Sequence, residues 1–275
     1  MDSDVLRKLQ LTQLEILQFV DQICKENNIK YSLYAGTLLG AVRHKGFIPW
    51  DDDLDICMSR EDYNRFIEMW PTANKSEYFL QSKDNTPEFT QDFIKIRKYN
   101  TNFLQEYDVG KHYHSGIFID IFPVDRIPNN MILKWIFYIK VMLYQLMIRE
   151  FSPSKSNKIV QLASALILKT VSRNRRVEFR NKLLKAITKY DQNFNYPIVM
   201  FETVQTMKQS YDSDLLDGYI KIEFEGKEFW AFAKWKNYLK QKYGDYMQLP
   251  PKSERAWKHK PLEISFNTPP EGYER

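Results

Sequence analysis

The chain has 275 residues, of which 43% are hydrophobic and 15% aromatic, with a formal net charge of +5 and a pI near 8.9. That apolar content supports a sizeable core and excludes a disordered chain. The mild positive balance suits a phosphorylated substrate or an anionic membrane surface. Without an RNP, zinc-finger or helix-turn-helix signature, it argues against a nucleic-acid binder.

The first thirty residues predict an amphipathic helix: Leu6, Leu9, Ile16, Leu17, Val20, Ile23 and Cys24 fall on one side, and "ENNIK" ends it. The opening "MDSDVLRKLQ" has no apolar leader, and Cys24 and Cys57 read as reduced buried thiols, so a cytoplasmic protein is expected. "YSLYAGTLLGAVRHKG" predicts a short strand, a turn at Gly36-Thr37, a short helix and a basic loop closing at Gly46. "DLDICM" is a strand, and Ser59 caps the helix that follows, with Asp62 three residues on.

"EFTQDFIKIRKYNTNFLQE" predicts strands joined by a turn at Asn100 to Asn102. In "SGIFIDIFPVDRIP", Ile117, Ile119 and Ile121 face one way and Phe118, Asp120 and Phe122 the other; Pro123 is expected to end the strand and leave Asp125 in a turn. Residues 131–151 and 159–176 predict two unusually apolar helices, and Lys134, Lys140 and Gln145 argue against the first crossing a membrane. Two readings stand for this helical insertion. It is a pair of buried core helices, or it lies on a membrane or beside a lipid-linked substrate, with Arg173, Arg175 and Arg176 meeting anionic headgroups. Strand and hairpin signals return from Phe194, with "EGKE" as the turn, then a closing helix stopped at Gly244 and a loop from Pro250. No linker separates two domains, so a single domain over 1–275 is expected.

The unusual stretch is "WDDDLDI", with Asp51, Asp52, Asp53 and Asp55 at the edge of an apolar strand. Residues two apart on a strand share a face, so Asp53 and Asp55 point together, Asp51 can join them, and Asp52 faces away to solvent. Two carboxylates about 4 Å apart repel by roughly 4 kcal/mol at an effective dielectric near 20. A fold keeps such a pair with a proton, a cation or a divalent metal, and oxygen ligands alone suit Mg2+ or Mn2+. Asp120, a costly lone charge in an apolar strand, completes a three-carboxylate site if its strand lies beside theirs. A solvated acidic turn remains the plain alternative.

Upstream, amides at Gly36-Thr37 can hold phosphate, and Arg43, His44 and Lys45 follow as candidates to steady phosphate oxygens. These are the parts that phosphoryl transfer requires. Lys95 and Arg97 share a strand face, which from the residues alone reads as solvated, and Trp50, beside the acidic strand, packs its loop.

"YAGTLLGAVRHKGFIPWDDDLDICMSREDYNRF" resembles the signature of the LicD family, and "GIFIDIFPVDRIP" resembles its second block. "YLKQKYGDYMQLPP", with Arg255 and His259 beyond it, is similar to the family's C-terminal end. The resemblance implies an α+β fold of the nucleotidyltransferase (DNA polymerase β-like) type, a mixed sheet flanked by helices, with the insertion around 131–176. It implies metal ligation and catalysis by Asp53, Asp55 and Asp120, substrate or phosphate contacts near Gly36, Thr37, Arg43 and His259, nucleotide contact by Lys95 and Arg97 in place of a solvated face, and receipt of the choline cation by Trp50 in place of loop packing. The implied reaction moves phosphocholine from CDP-choline to a sugar hydroxyl of a teichoic-acid, lipopolysaccharide or lipid-linked glycan precursor, releasing CMP. Glycerol or ribitol phosphate as cargo, or a non-catalytic scaffold for glycan assembly, are the alternatives. The intact Gly-Thr, Asp-x-Asp and Asp120 set argues against a scaffold.

Overall fold

The computed structural model describes residues 3–72, 77–149, 158–201 and 206–268. Helix α1 (Ser3–Glu26) buries Leu6, Leu9, Leu14, Ile16, Leu17, Val20, Ile23 and Cys24, the stripe its periodicity predicts. It ends where Asn28 turns left-handed (φ 50) and the Ile29 N–H reaches back to the Cys24 carbonyl. Strand β1 (Ser32–Leu33), helix α2 (Ala35–His44), strand β2 (Asp55–Ser59) and helix α3 (Arg60–Met69) follow. Ser59 Oγ accepts the Asp62 N–H at 3.1 Å, the predicted cap.

Strands β3 (Tyr78–Gln81), β4 (Ile94–Lys98), β5 (Asn102–Leu104) and β6 (Phe118–Arg126) come next. Then come helices α4 (Met131–Ile148), α5 (Lys158–Thr170) and α6 (Arg173–Thr188), and short strands β7 (Ile198–Val199) and β8 (Ser210–Tyr211). The chain closes with β9 (Tyr219–Phe224), β10 (Lys227–Phe232), α7 (Trp235–Tyr243) and β11 (Glu263–Ser265). Residues 150–151 of the first predicted insertion helix and 202–205 of the later strand region lie outside the described residues.

The chain divides into two compact units. The first comprises 1–81, 93–124 and 214–275 and carries a mixed sheet in the order β1-β2-β6-β4-β3, in which β2 and β6 run parallel and the other pairs antiparallel. An α+β architecture with helices flanking a mixed sheet is therefore present. The β9–β10 hairpin turns at Glu225-Gly226, both with positive φ (52° and 71°), as a two-residue hairpin needs.

The second unit comprises 82–92 and 125–213, so the helical insertion extends through α6 and recruits residues on both sides. Its core joins Phe137, Val141 and Tyr144 of α4 to Leu183 and Ile187 of α6.

Three local expectations are corrected. Strand β6 continues through Pro123 to Arg126, and Asp125 is a fully buried strand residue, not a turn. The Asp120 N–H points to β2, donating to Leu54, so alternation puts the Pro123 nitrogen on the opposite side, beyond Ile121 where the β4 ladder stops. The turn at Asn100 exists (φ 57), but β4 and β5 do not pair; β5 pairs β11, a strand in the tail expected to be loop. Arg173, Arg175 and Arg176 open α6, with a break after Thr170; Arg176 is buried and donates to the Arg149 carbonyl at 2.8 Å.

Candidate active site

Register decides the geometry. Asp55 of β2 is the Cα partner of Asp120 of β6, and Asp120 is the partner of Lys95 of β4. One row across the sheet thus reads Asp55, Asp120, Lys95. Lys95 Nζ is 2.7 Å from Asp120 Oδ1 and lies 3.4 Å from the Phe118 ring centroid. Burial pushes the Asp120 carboxyl up although Lys95 opposes it, and burial lowers the Lys95 ammonium although Asp120 opposes that. Burial, then the charges of Asp53, Asp120 and Asp51, hold the Asp55 carboxyl well above its ordinary value.

The ladder starts at Asp55, two residues later than expected, and Asp51 to Leu54 approach it without strand pairing. Strict alternation therefore does not govern the acids before it. Asp52, expected at the solvated surface, is 2% exposed. Its Oδ2 accepts the backbone N–H of His259 at 2.7 Å, and its Oδ1 is a buried oxygen with no hydrogen bond. His259 Nδ1 lies 3.4 Å from Asp52 Oδ1 and 3.5 Å from Asp53 Oδ2, and the proximity of the Asp52 carboxylate, above all, raises the His259 pKa against the effect of burial. The ligand atoms of Asp52, Asp53 and His259 come within 4.8 Å of one another, a set distinct from the expected Asp53, Asp55 and Asp120 but sharing Asp53.

Gly36 and Thr37 occupy the first turn of α2 and not a turn before it. A side-chain carbon on Gly36 would stand 2.7 Å from Asp51 Oδ2, so the missing Cβ is what lets that carboxylate lie over the helix start. Ala35, just before, is held at φ 45, a left-handed conformation costing about 1 kcal/mol for a residue with a Cβ. Thr37 Oγ1 accepts the Asp55 N–H at 2.8 Å and so ties α2 to the first residue of the acidic strand. Gly36→Ala is expected to displace Asp51 and lower turnover by about a hundred-fold, the usual consequence of a 1 Å misplacement. Steady-state kinetics beside a circular dichroism check of folding will read it.

The basic candidates divide. Arg43 reaches the C-terminal loop, donating to the carbonyls of Tyr246 and Gln248, both at 3.2 Å. His44 meets Trp50 edge-on, and Lys45 is an exposed left-handed helix cap (φ 59). Lys95 and Arg97 are buried, which overturns the solvated-face alternative. Arg97 donates to Gln81 at 2.7 Å and to the Gly116 carbonyl at 2.8 Å. Trp50 lines a cavity of about 530 Å³ with Tyr243, Tyr246, Asp245 and Glu254. Gly36 and Lys258, which also flank Asp51, close one side of it. The Arg255 guanidinium sits 5.3 Å from the Trp50 ring centroid.

Sequence reasoning missed three supports. Gln10 and Gln13, on the buried side of α1, donate to the carbonyls of Asp51 (2.9 Å) and Asp52 (3.0 Å) and pin the acidic segment. Two glutamines in an apolar stripe were the signal available. Lys258, 3.9 Å from Asp51, stands next to His259; burial lowers its ammonium, but the surrounding aspartates raise it more.

The chemistry of Asp52, Asp53 and His259 fits a divalent cation: their ligand atoms converge and Asp52 carries a buried oxygen without a hydrogen bond. Around them Lys95, Lys258 and His259 are the counter-charges, and burial with Asp53 pushes Asp51 up to about 8. Acids with raised native pKa values hold protons more tightly when folded. Their stabilising contribution is complete below the unfolded value near 3.8 and is lost as pH rises to about 8. Without metal, this cluster is expected to lower stability between about pH 6 and about pH 8; added Mg2+ should flatten the decline, most at the alkaline end. Urea titrations across that range, with and without Mg2+, check the sign.

Residues 28–152 match the family described as "LicD/FKTN/FKRP, nucleotidyltransferase domain". The chain is 30% identical over 263 residues to the lipopolysaccharide cholinephosphotransferase LicD of Haemophilus influenzae, covering 92% of this chain and 96% of that protein. The chain belongs to the LicD family. An uncharacterised protein of Rickettsia prowazekii is 41% identical over 123 residues (45% of this chain, 42% of that protein), and one of Rickettsia typhi is 40% identical over 77 (28% and 25%). LicD membership, with a full-length relative named for choline-phosphate transfer, places the chain among phosphotransferase enzymes. The matched segment 28–152 contains Gly36, Thr37, Asp53, Asp55, Lys95 and Asp120.

Proposed function

We propose that the protein transfers phosphocholine from CDP-choline to a sugar hydroxyl of a cell-surface glycan precursor, of lipopolysaccharide or teichoic-acid type, and releases CMP. The observation carrying this reading is the Asp55–Asp120 pair, aligned across parallel strands beside Asp53 and backed by Lys95. The fold we assign is of the nucleotidyltransferase type.

Asp53 and Asp55, with Asp120, are the residues we assign to Mg2+ or Mn2+, which when bound neutralises diphosphate oxygens of the donor. Asp120 is the general base: largely buried, with its carboxyl pKa raised, it can take the proton of the attacking hydroxyl, while Lys95 favours the ionised form that accepts it. The sugar oxygen forms a bond to the phosphorus that bears choline, the bond from that phosphorus to the bridging oxygen breaks, and CMP carries the electron pair away. To Lys258 and Arg43, which line the cavity beside Asp51, we assign the phosphate oxygens. Trp50, Tyr243 and Tyr246 offer ring faces, and Asp245 and Glu254 carboxylates, a chemistry suited to a trimethylammonium group. The Arg255 guanidinium over Trp50 indicates that this ring face accepts a cation. We place the enzyme in the cytoplasm, at the inner face of the cell membrane, where a CDP-linked donor and two free thiols belong.

A donor panel tests the reading: CDP-choline, CDP-glycerol and CDP-ribitol with Mg2+ and purified glycan precursors, scored by acceptor-dependent CMP. CDP-choline should give the highest kcat/KM. Preference for glycerol or ribitol would keep the chemistry and change the cargo, and no acceptor-dependent CMP from any donor would sink the transferase reading.

A further inference from the structure

A surface helix ordinarily turns a polar face outward. Helix α4 does the reverse. Ile132, Trp135, Ile139 and Met142, spaced three and four apart, form its outer stripe, exposed by between 51% at Met142 and 71% at Ile132. Helix α5 repeats the pattern: Ile159, Leu162 and Leu166 are each at least 63% exposed. These two apolar stripes are far more than the scattered apolar residues a soluble surface carries.

The charge of the same segment is just as lopsided. Residues 131–176 contain five lysines and four arginines against one glutamate. The rest of the chain holds 31 basic and 34 acidic residues, so the net charge of +5 comes wholly from this segment. A second copy of the chain is a poor occupant for such a face, because pairing like with like would bring the cations together. An anionic bilayer satisfies both features, taking the apolar stripes into its acyl boundary and the exposed cations of the segment to its headgroups.

Among the described residues, α4 alone is long and apolar enough to cross a membrane, at 18 residues or about 27 Å. Its opposite stripe is already committed: Phe137, Val141 and Tyr144 are fully buried against Ile187 and other residues of the unit's own core. A helix sealed along one side by its own domain can lie in the interface but cannot be surrounded by lipid.

We infer that the outer stripes of α4 and α5 form a docking face for an anionic membrane surface. The helices lie in the plane of the headgroups, with the exposed Lys158, Lys169, Arg173 and Arg175 as the electrostatic component. This inference rests on exposure and charge in the second unit and does not depend on the transfer reading.

Flotation of the full chain with vesicles of phosphatidylcholine alone, or mixed with phosphatidylglycerol, tests it. The chain should float with the mixed vesicles at least about ten-fold more tightly than with the neutral ones. Lys158→Gln and Lys169→Gln should each weaken binding about five-fold. The double substitution Ile139→Glu/Met142→Glu, at exposed positions, should weaken it by at least about ten-fold. Brominated lipid should quench fluorescence in the unaltered protein, and Trp135→Phe should remove that quenching, which reads the contact even if the double variant misfolds. Absence of binding to both vesicles, or no quenching at Trp135, overturns the inference. So does a dimer by light scattering that the double variant converts to a monomer, since the face would then be an interface between copies.

Discussion

Asp55→Asn is expected to lower choline-phosphate transfer by about three orders of magnitude and, in metal-free buffer, to raise the Tm. The first effect follows from our assignment of Asp55 as an ionised oxygen ligand, since a catalytic cation is worth several kcal/mol in the transition state. The second follows from the cluster's own repulsion. Burial and the charges of Asp53, Asp120 and Asp51 all disfavour an ionised Asp55, so an isosteric amide relieves a cost the native fold carries for function. A gain on the order of 1 kcal/mol raises Tm by about 2–4 °C in a chain of this size. Calorimetry with and without Mg2+ separates the two states: the variant should melt above the wild type without metal and lose most of the metal-induced rise. A variant that is inactive and also less stable without metal would mean that Asp55 is structural.

Lys95→Met is expected to destabilise the protein by roughly 3 kcal/mol, because it strands Asp120 in a place where Lys95 Nζ now stands 2.7 Å away. In Tm this is a fall of about 6–12 °C. Lys95 lowers the Asp120 pKa, so its removal raises that pKa and the acid limb of kcat/KM should move to higher pH. Asp120→Asn combined with Lys95→Met should recover part of the lost stability without recovering activity, since the double variant leaves no uncompensated charge. Equal losses in the single and double variants would show that Lys95 acts through packing on Phe118, 3.4 Å from its ammonium, and not through Asp120.

The parts of the site that the sequence disclosed are those set by local spacing. Gly36-Thr37, Asp53 and Asp55 lie within twenty residues, and the alternation of β6 correctly marked Asp120 as the polar intruder in an apolar strand. Asp52 was misjudged because alternation holds only within a ladder, and the ladder begins three residues after it. The partners of the acidic segment were out of reach for a different reason: Gln10 and Gln13 act from about forty residues upstream, and His259 from 207 residues downstream. Nothing local announces such meetings. Pro123 was taken as a strand end because a missing N–H usually is one; it is tolerated where the neighbouring strand has already stopped. The second unit escaped notice because it gathers 82–92 with 125–213, with no linker at either boundary. The apolar helices were seen, but hydrophobic composition alone did not tell which of their faces the fold would cover.

The central claim is that this carboxylate site moves a substituted phosphate to a glycan and does not move a nucleotide. CDP-choline labelled with radioactive phosphorus only at the choline-bearing phosphate, incubated with Mg2+ and a glycan precursor, tests this directly. Label is expected in the glycan and unlabelled CMP in solution, in equal amounts. Label recovered as free phosphocholine, with cytidine phosphate attached to the glycan, would contradict it.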